Sequence, residues 1–125
     1  MTENELAKIV VDICLKIHKK LGPGLLESVY EEVLCYELTK QGLRFRRQQG
    51  VPLIYEDIRM DLGFRTDIIV EEKIILEIKS VESIAPVHSK ILLTYLRLTD
   101  KRLGLLINFN VDLIKDGIKR VVNNL

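Results

Sequence analysis

The chain has 125 residues, 47% hydrophobic, 30% charged and 6% aromatic, and its 19 Lys plus Arg against 18 Asp plus Glu leave a net charge of +1. That length predicts one domain spanning residues 1–125, and the apolar content excludes a wholly disordered chain. No apolar run approaches the roughly 20 residues of a membrane span. The first residues also lack a basic stretch followed by an apolar one, so a cytoplasmic protein without membrane association is expected. Cys14 and Cys35 fall among apolar residues with no CxxC spacing, and read as small buried hydrophobes rather than redox or zinc groups.

The first predicted element is a helix. Thr2 and Glu5 form a capping box, and Leu6, Ile9, Val10, Ile13, Ile17 and Leu21 follow at helical spacing. In this helix His18 reads as solvent-facing. Gly22-Pro23-Gly24 stops it. A second helix should start near Leu25, with Leu26, Val29, Val33 and Leu38 as its apolar stripe, and close at Gly42. The period then changes to two. Val51 to Tyr55, a turn at Glu56-Asp57, the alternation of Met60, Leu62 and Phe64, and a charged turn at Glu71-Glu72-Lys73 before Ile74 to Lys79 predict an antiparallel meander. Pro86 opens a helix to about Leu98 that is apolar on much of its circumference, so deep burial is expected. Gly104 to Phe109 reads as a strand buried on both faces. A last helix is predicted from about Asp112, using Leu113, Ile114, Ile118, Val121 and Val122. The fold class is α/β, a mixed sheet of antiparallel meander plus crossover strand flanked by helices.

Charges inside the apolar strands point to chemistry. In Ile74 to Lys79 alternate side chains share a face, so Glu77 and Lys79 lie together, about 7 Å apart. A hairpin centred on Glu71-Glu72-Lys73 brings Asp67 opposite Glu77. Two half-buried carboxylates repel, and a cation between them removes that cost. Oxygen ligands suit Mg²⁺ or Mn²⁺, with the Ile78 carbonyl as a possible third oxygen and Lys79 beside the ion to orient a water or meet a phosphate. The alternative is an ordinary Glu77–Lys79 ion pair with Asp67 as a strand-end residue. Glu27, Tyr30 and Glu31 lie on one face of the second helix. Glu27 either favours the helix dipole or points at the same ion with Tyr30 supporting it from behind. His88, near the start of the third helix, either approaches this site or serves the helix start.

These residues resemble a known group. Gly24-x-x-Glu27-x-x-Tyr30 matches the signature of the GxxExxY proteins, and Asp67 followed by Glu77-Ile78-Lys79 is similar to the D…(D/E)xK core of the PD-(D/E)XK nuclease superfamily. Further similarity lies in Arg65-Thr66-Asp67, Tyr95-Leu96, Gly104 to Phe109 and Asp116 to Arg120. The resemblance implies a restriction-endonuclease-like core, Asp67 and Glu77 as metal ligands, Lys79 as a catalytic group and Glu27 as an accessory carboxylate. One position departs. Ile91 stands where family members often carry a Gln, four residues before the Tyr-Leu of the third helix, and that Gln is thought of as a helper near the active site.

The net charge of +1 conceals an uneven layout of −3, +4, −4 and +4 over residues 1–37, 38–50, 56–82 and 86–125. An acidic centre between basic segments suits a metal site beside a phosphate surface. Arg44, Arg46 and Arg47 are the predicted nucleic-acid contacts, since three arginines in four residues repel unless an anion or several carboxylates lie nearby. Without Trp, stacking platforms for single strands are sparse, which favours duplex DNA. The sequence therefore predicts a Mg²⁺- or Mn²⁺-dependent nuclease. The alternative is a catalytically inactive nuclease-fold module that binds nucleic acid or a protein. A homodimer or a protein partner would supply specificity to so short a chain.

Overall fold

The structure, a computed structural model, describes residues 1–125 apart from the Leu62 side chain. The predicted alternation at Met60, Leu62 and Phe64 thus falls partly outside the described side chains. Two helices, α1 (Glu3–Leu21) and α2 (Glu27–Lys40), precede three strands, β1 (Phe45–Tyr55), β2 (Ile58–Val70) and β3 (Ile74–Lys79). Then come α3 (Pro86–Thr99), β4 (Leu103–Asn108), one 3-10 turn at Ile114–Asp116 and β5 (Ile118–Val122). The strands form one sheet in the order β1-β2-β3-β4-β5. β3 and β4 run parallel across the α3 crossover, and the other neighbours are antiparallel. This is the predicted α/β class, with its meander and crossover strand.

Two apolar layers hold the sheet. Ile68, Val70, Ile74, Leu76, Ile78, Leu105 and Ile107 pack against α1 and α2. Ile69, Ile75, Leu106 and Val121 pack against Leu92 and Leu96 of α3. The odd and even positions of β3 thus serve different layers. At the start of α1, the Thr2 hydroxyl accepts from the Glu5 N–H (3.1 Å) and Glu5 Oε1 from the Thr2 N–H (3.0 Å), the predicted capping box. Gly22 and Gly24, at φ 71° and 98°, make the left-handed stop between the helices.

Four expectations change. The buried stripe of α2 is Tyr30, Leu34, Cys35 and Leu38, with Glu31 and Glu37 beside it, whereas Leu26 and Val29 are exposed. Tyr30 sets this rotation. Its ring stacks on Phe109 at 4.3 Å, and the buried glutamates are held by cations, Glu37 by Lys16 (3.0 Å) and Glu31 by Arg47 (2.8 Å). His18 is buried, not solvent-facing, with Nε2 3.1 Å from the Phe109 carbonyl oxygen. It lies one turn past Cys14, on the same packed face.

α3 is less buried than predicted. Only Leu92 and Leu96 are fully enclosed among its residues, while Val87, Ile91 and Leu98 are exposed. The predicted last helix is a single 3-10 turn followed by the edge strand β5. Ile118 packs on the α1 side and Val121 on the α3 side, so a spacing that mimics a helix reflects a strand with two apolar faces. Gly117 fixes the switch. Its carbonyl accepts from the Asn108 N–H (2.8 Å), and a Cβ there would sit 2.1 Å from the Asn108 oxygen.

Candidate metal centre

Asp67 and Glu77 come together as the hairpin register requires. β2 pairs with β3 from Val70↔Ile74 to Ile68↔Leu76, so the next step places Asp67 opposite Glu77. Asp67 is also tied to the neighbouring backbone, because its Oδ2 accepts from the Ile78 N–H at 2.8 Å. The Glu77 side chain is buried between the sheet and α3, and its Oε1 has no hydrogen-bond partner among the described residues. Burial first, and then the Asp67 charge, push the Glu77 carboxyl up to about 8, with the Lys79 charge opposing. Tyr95, on α3, is pushed up by burial and then by the Glu77 and Asp67 charges.

Lys79 ends β3 on the same face. Its carbonyl accepts from the Phe109 N–H at 3.1 Å, which anchors the strand end. Glu77 and Lys79 line a cavity of about 110 Å³ with His88, Ile91, Leu92, Tyr95 and Leu106. The Glu77–Lys79 ion pair left open by the sequence is not formed within 4.0 Å among the described residues. His88 does serve the helix start, its Nδ1 accepting from the Ala85 N–H at 3.1 Å, and it also lines the cavity. Ile91, half exposed, forms part of the wall.

Glu27 reaches the end of β3 rather than the carboxylate pair. Its Oε2 accepts from the Ser80 N–H at 3.3 Å, next to Lys79. Tyr30 secures the loop ahead of it, donating to the Gly22 carbonyl (2.6 Å) and accepting from the Leu25 N–H (3.2 Å). Among the described residues no three His, Cys, Asp or Glu side chains converge closely enough to hold a metal ion. The two carboxylates stand as a pair, with Glu27 beyond them.

Each predicted nucleic-acid arginine has a carboxylate partner. Arg44 contacts Glu71 through its backbone N–H (2.6 Å) and Nε (3.5 Å). Arg46 grips Glu72 with Nε (2.7 Å) and Nη2 (2.8 Å). Arg47 bonds Glu31 (2.8 Å) and Glu32 (2.9 Å). Of the two explanations open for this run, an anion or several carboxylates, the structure supplies the carboxylates. Sequence reasoning passed over Gln48, whose Nε2 donates to Glu31 Oε1 (2.7 Å) and Asp67 Oδ1 (3.3 Å). Counting from the Glu56-Asp57 turn pairs Gln48 with Arg65, and only the register shift between Val51 and Leu53 brings it opposite Asp67.

A model of the PD-(D/E)XK nuclease superfamily matches residues 4–121. The chain belongs to the PD-(D/E)XK nuclease superfamily. Superfamily nucleases typically use divalent metal ions, and the match covers the strands carrying Asp67, Glu77 and Lys79 as well as Glu27. No curated protein and no solved structure matches the chain. No helix is long and apolar enough to cross a membrane among the described residues.

The residues fit a hard cation. A buried, unpartnered carboxylate oxygen beside a second carboxylate is unfavourable when both are charged, and a divalent ion satisfies both.

Proposed function

We propose that this protein is a divalent-metal-dependent nuclease of the GxxExxY group that hydrolyses phosphodiester bonds, with duplex DNA the favoured substrate and Mg²⁺ or Mn²⁺ the ion. The observation that carries this reading is the buried Glu77 Oε1 without a partner, beside Asp67. Asp67 and Glu77 would hold the ion. When bound, the ion supplies positive charge at the phosphate and a lowered pKa for water.

The remaining steps fall to the chain. The Lys79 ammonium, on the same face and with its strand end anchored by Phe109, orients a water and donates to phosphate oxygens as negative charge develops. Glu27, held by the Ser80 N–H, serves as the accessory carboxylate at the strand end. Tyr30 keeps that loop in place through Gly22 and Leu25. Arg44, Arg46 and Arg47 lie along β1 and its approach, where exchange of a carboxylate for a DNA phosphate would let them bind the backbone.

The test is incubation with duplex DNA and Mg²⁺ beside Asp67→Ala and Lys79→Ala. Loss of cleavage by at least a hundredfold in both is expected, and cleavage that survives both rejects the assigned site. Ile91 favours a second reading, a nuclease-fold module that binds DNA or a protein without turnover, because an apolar side chain lines the cavity beside Glu77 and Lys79. Tight DNA binding with no cleavage at any Mg²⁺ or Mn²⁺ concentration selects it.

A further inference from the structure

Asp67 is held from two sides. The Ile78 N–H fixes its Oδ2 at 2.8 Å, and the Gln48 side-chain amide reaches its Oδ1 at 3.3 Å. The same amide nitrogen donates to Glu31 Oε1 at 2.7 Å. Both acceptors are carboxylates, so the NH₂ end must face them. Glu31 is 7% exposed, and its other oxygen takes Nε (3.2 Å) and Nη2 (2.8 Å) of Arg47. A chain of charge-assisted hydrogen bonds thus runs from Arg47 through Glu31 and Gln48 to Asp67, joining α2, β1 and β2.

The backbone at Gln48 is unusual. Its φ is +48°, a left-handed conformation that L side chains other than Asn and Asp rarely adopt. The ladder steps from Arg47↔Ile68 to Gln49↔Thr66, passing over Gln48 and Asp67. The distortion falls opposite the carboxylate of interest, and it aims a long amide at it. Strain of this kind gathers where a side chain must be delivered to one place.

We propose that Gln48 is a positioning residue that, anchored by Glu31 and Arg47, turns the Asp67 carboxylate toward the metal ion. This rests on the reading of Asp67 and Glu77 as metal ligands. Asp67 accepts one bond on each oxygen from Gln48 and Ile78, which leaves lone pairs on both for a cation. An amide is the right partner there. It orients the carboxylate without the full charge that would compete with a divalent ion.

The test compares Gln48→Gly and Gln48→Ala by titration with Mn²⁺ alone and by thermal melting without metal. Both remove the amide, and only glycine relieves the left-handed backbone. The expected result is a 10–100-fold loss of Mn²⁺ affinity in both, with the glycine variant melting at or above the wild-type temperature and above the alanine variant. A gain or tie in stability joined to a loss of metal binding is not what a merely structural residue gives. Mn²⁺ affinity unchanged in both variants overturns the proposal while leaving the metal site standing. A glycine variant that melts well below wild type assigns Gln48 to the fold and also overturns it. Wild-type protein that gives no binding heat with Mn²⁺ overturns the proposed function and this inference together.

Discussion

The two faces of the sheet are built to different ends. Toward α1 and α2, the side chains of Ile68, Val70, Ile74, Leu76 and Ile78 are almost fully enclosed, and two helices of 19 and 14 residues cover them. Toward α3, one helix contributes Leu92 and Leu96, and past that contact the same strands present Asp67, Glu77 and Lys79. β3 is the hinge of the comparison, since neighbouring residues look in opposite directions. One face supplies stability, and the thinner one leaves room for charged groups that a sealed layer could not tolerate.

Substituting neighbours should break this comparison with opposite signs. Leu76→Ala removes a fully buried side chain from the sealed face and should cost about 2–5 kcal/mol, read from urea unfolding without metal. Glu77→Gln, one residue on, should stabilise the metal-free protein at alkaline pH. The folded carboxyl is raised from 4.5 to about 8. Below pH 4.5 Glu77 carries its proton folded and unfolded alike. Between the two values the unfolded chain releases it and the folded one keeps it, so stability falls as pH rises and levels off above about 8. The fall should amount to a few kcal/mol, and Gln should flatten it while abolishing Mn²⁺ binding. A wild-type profile flat from pH 5 to 9 would mean that the pair is not buried and coupled as described.

The fold and the carboxylate pair were legible because they follow from short-range rules. Period two in Ile74 to Lys79 and a charged turn at Glu71-Glu72-Lys73 are enough to set Asp67 against Glu77. The environment of that pair was not legible. Whether Lys79 neutralises Glu77 depends on how deeply each side chain is buried and where it points in the folded chain, which no spacing encodes. The helix predicted after Asp112 failed because Ile118 and Val121 serve opposite layers of one strand, and the 3.6 and 2.0 periods cannot be told apart over five residues. The stripe of α2 is misplaced because apolar spacing alone selects Leu26, Val29, Val33 and Leu38, while Glu31 and Glu37 lie on the packed face. Their cations come from Arg47 and Lys16, on β1 and α1. Buried charge is a tertiary fact, and the relay through Gln48 was missed for the same reason.

The smallest expected effect on stability sharpens what the arginines are for. Arg46 grips Glu72 through two hydrogen bonds, yet the side chains are 45% and 62% exposed. An ion pair in such a setting contributes about 0.2–1 kcal/mol, so Arg46→Ala should barely move the unfolding midpoint. DNA binding is the more telling measurement. If Arg46 exchanges Glu72 for a phosphate, the alanine variant should bind duplex DNA more weakly regardless of sequence, and the slope of log affinity against log salt should flatten by about one counterion. Glu72→Gln should act the other way, because it removes the carboxylate that competes with DNA. A slope unchanged in both variants would mean that the arginine serves only to clamp β1 to the turn before β3, on which the alignment of Asp67 with Glu77 depends.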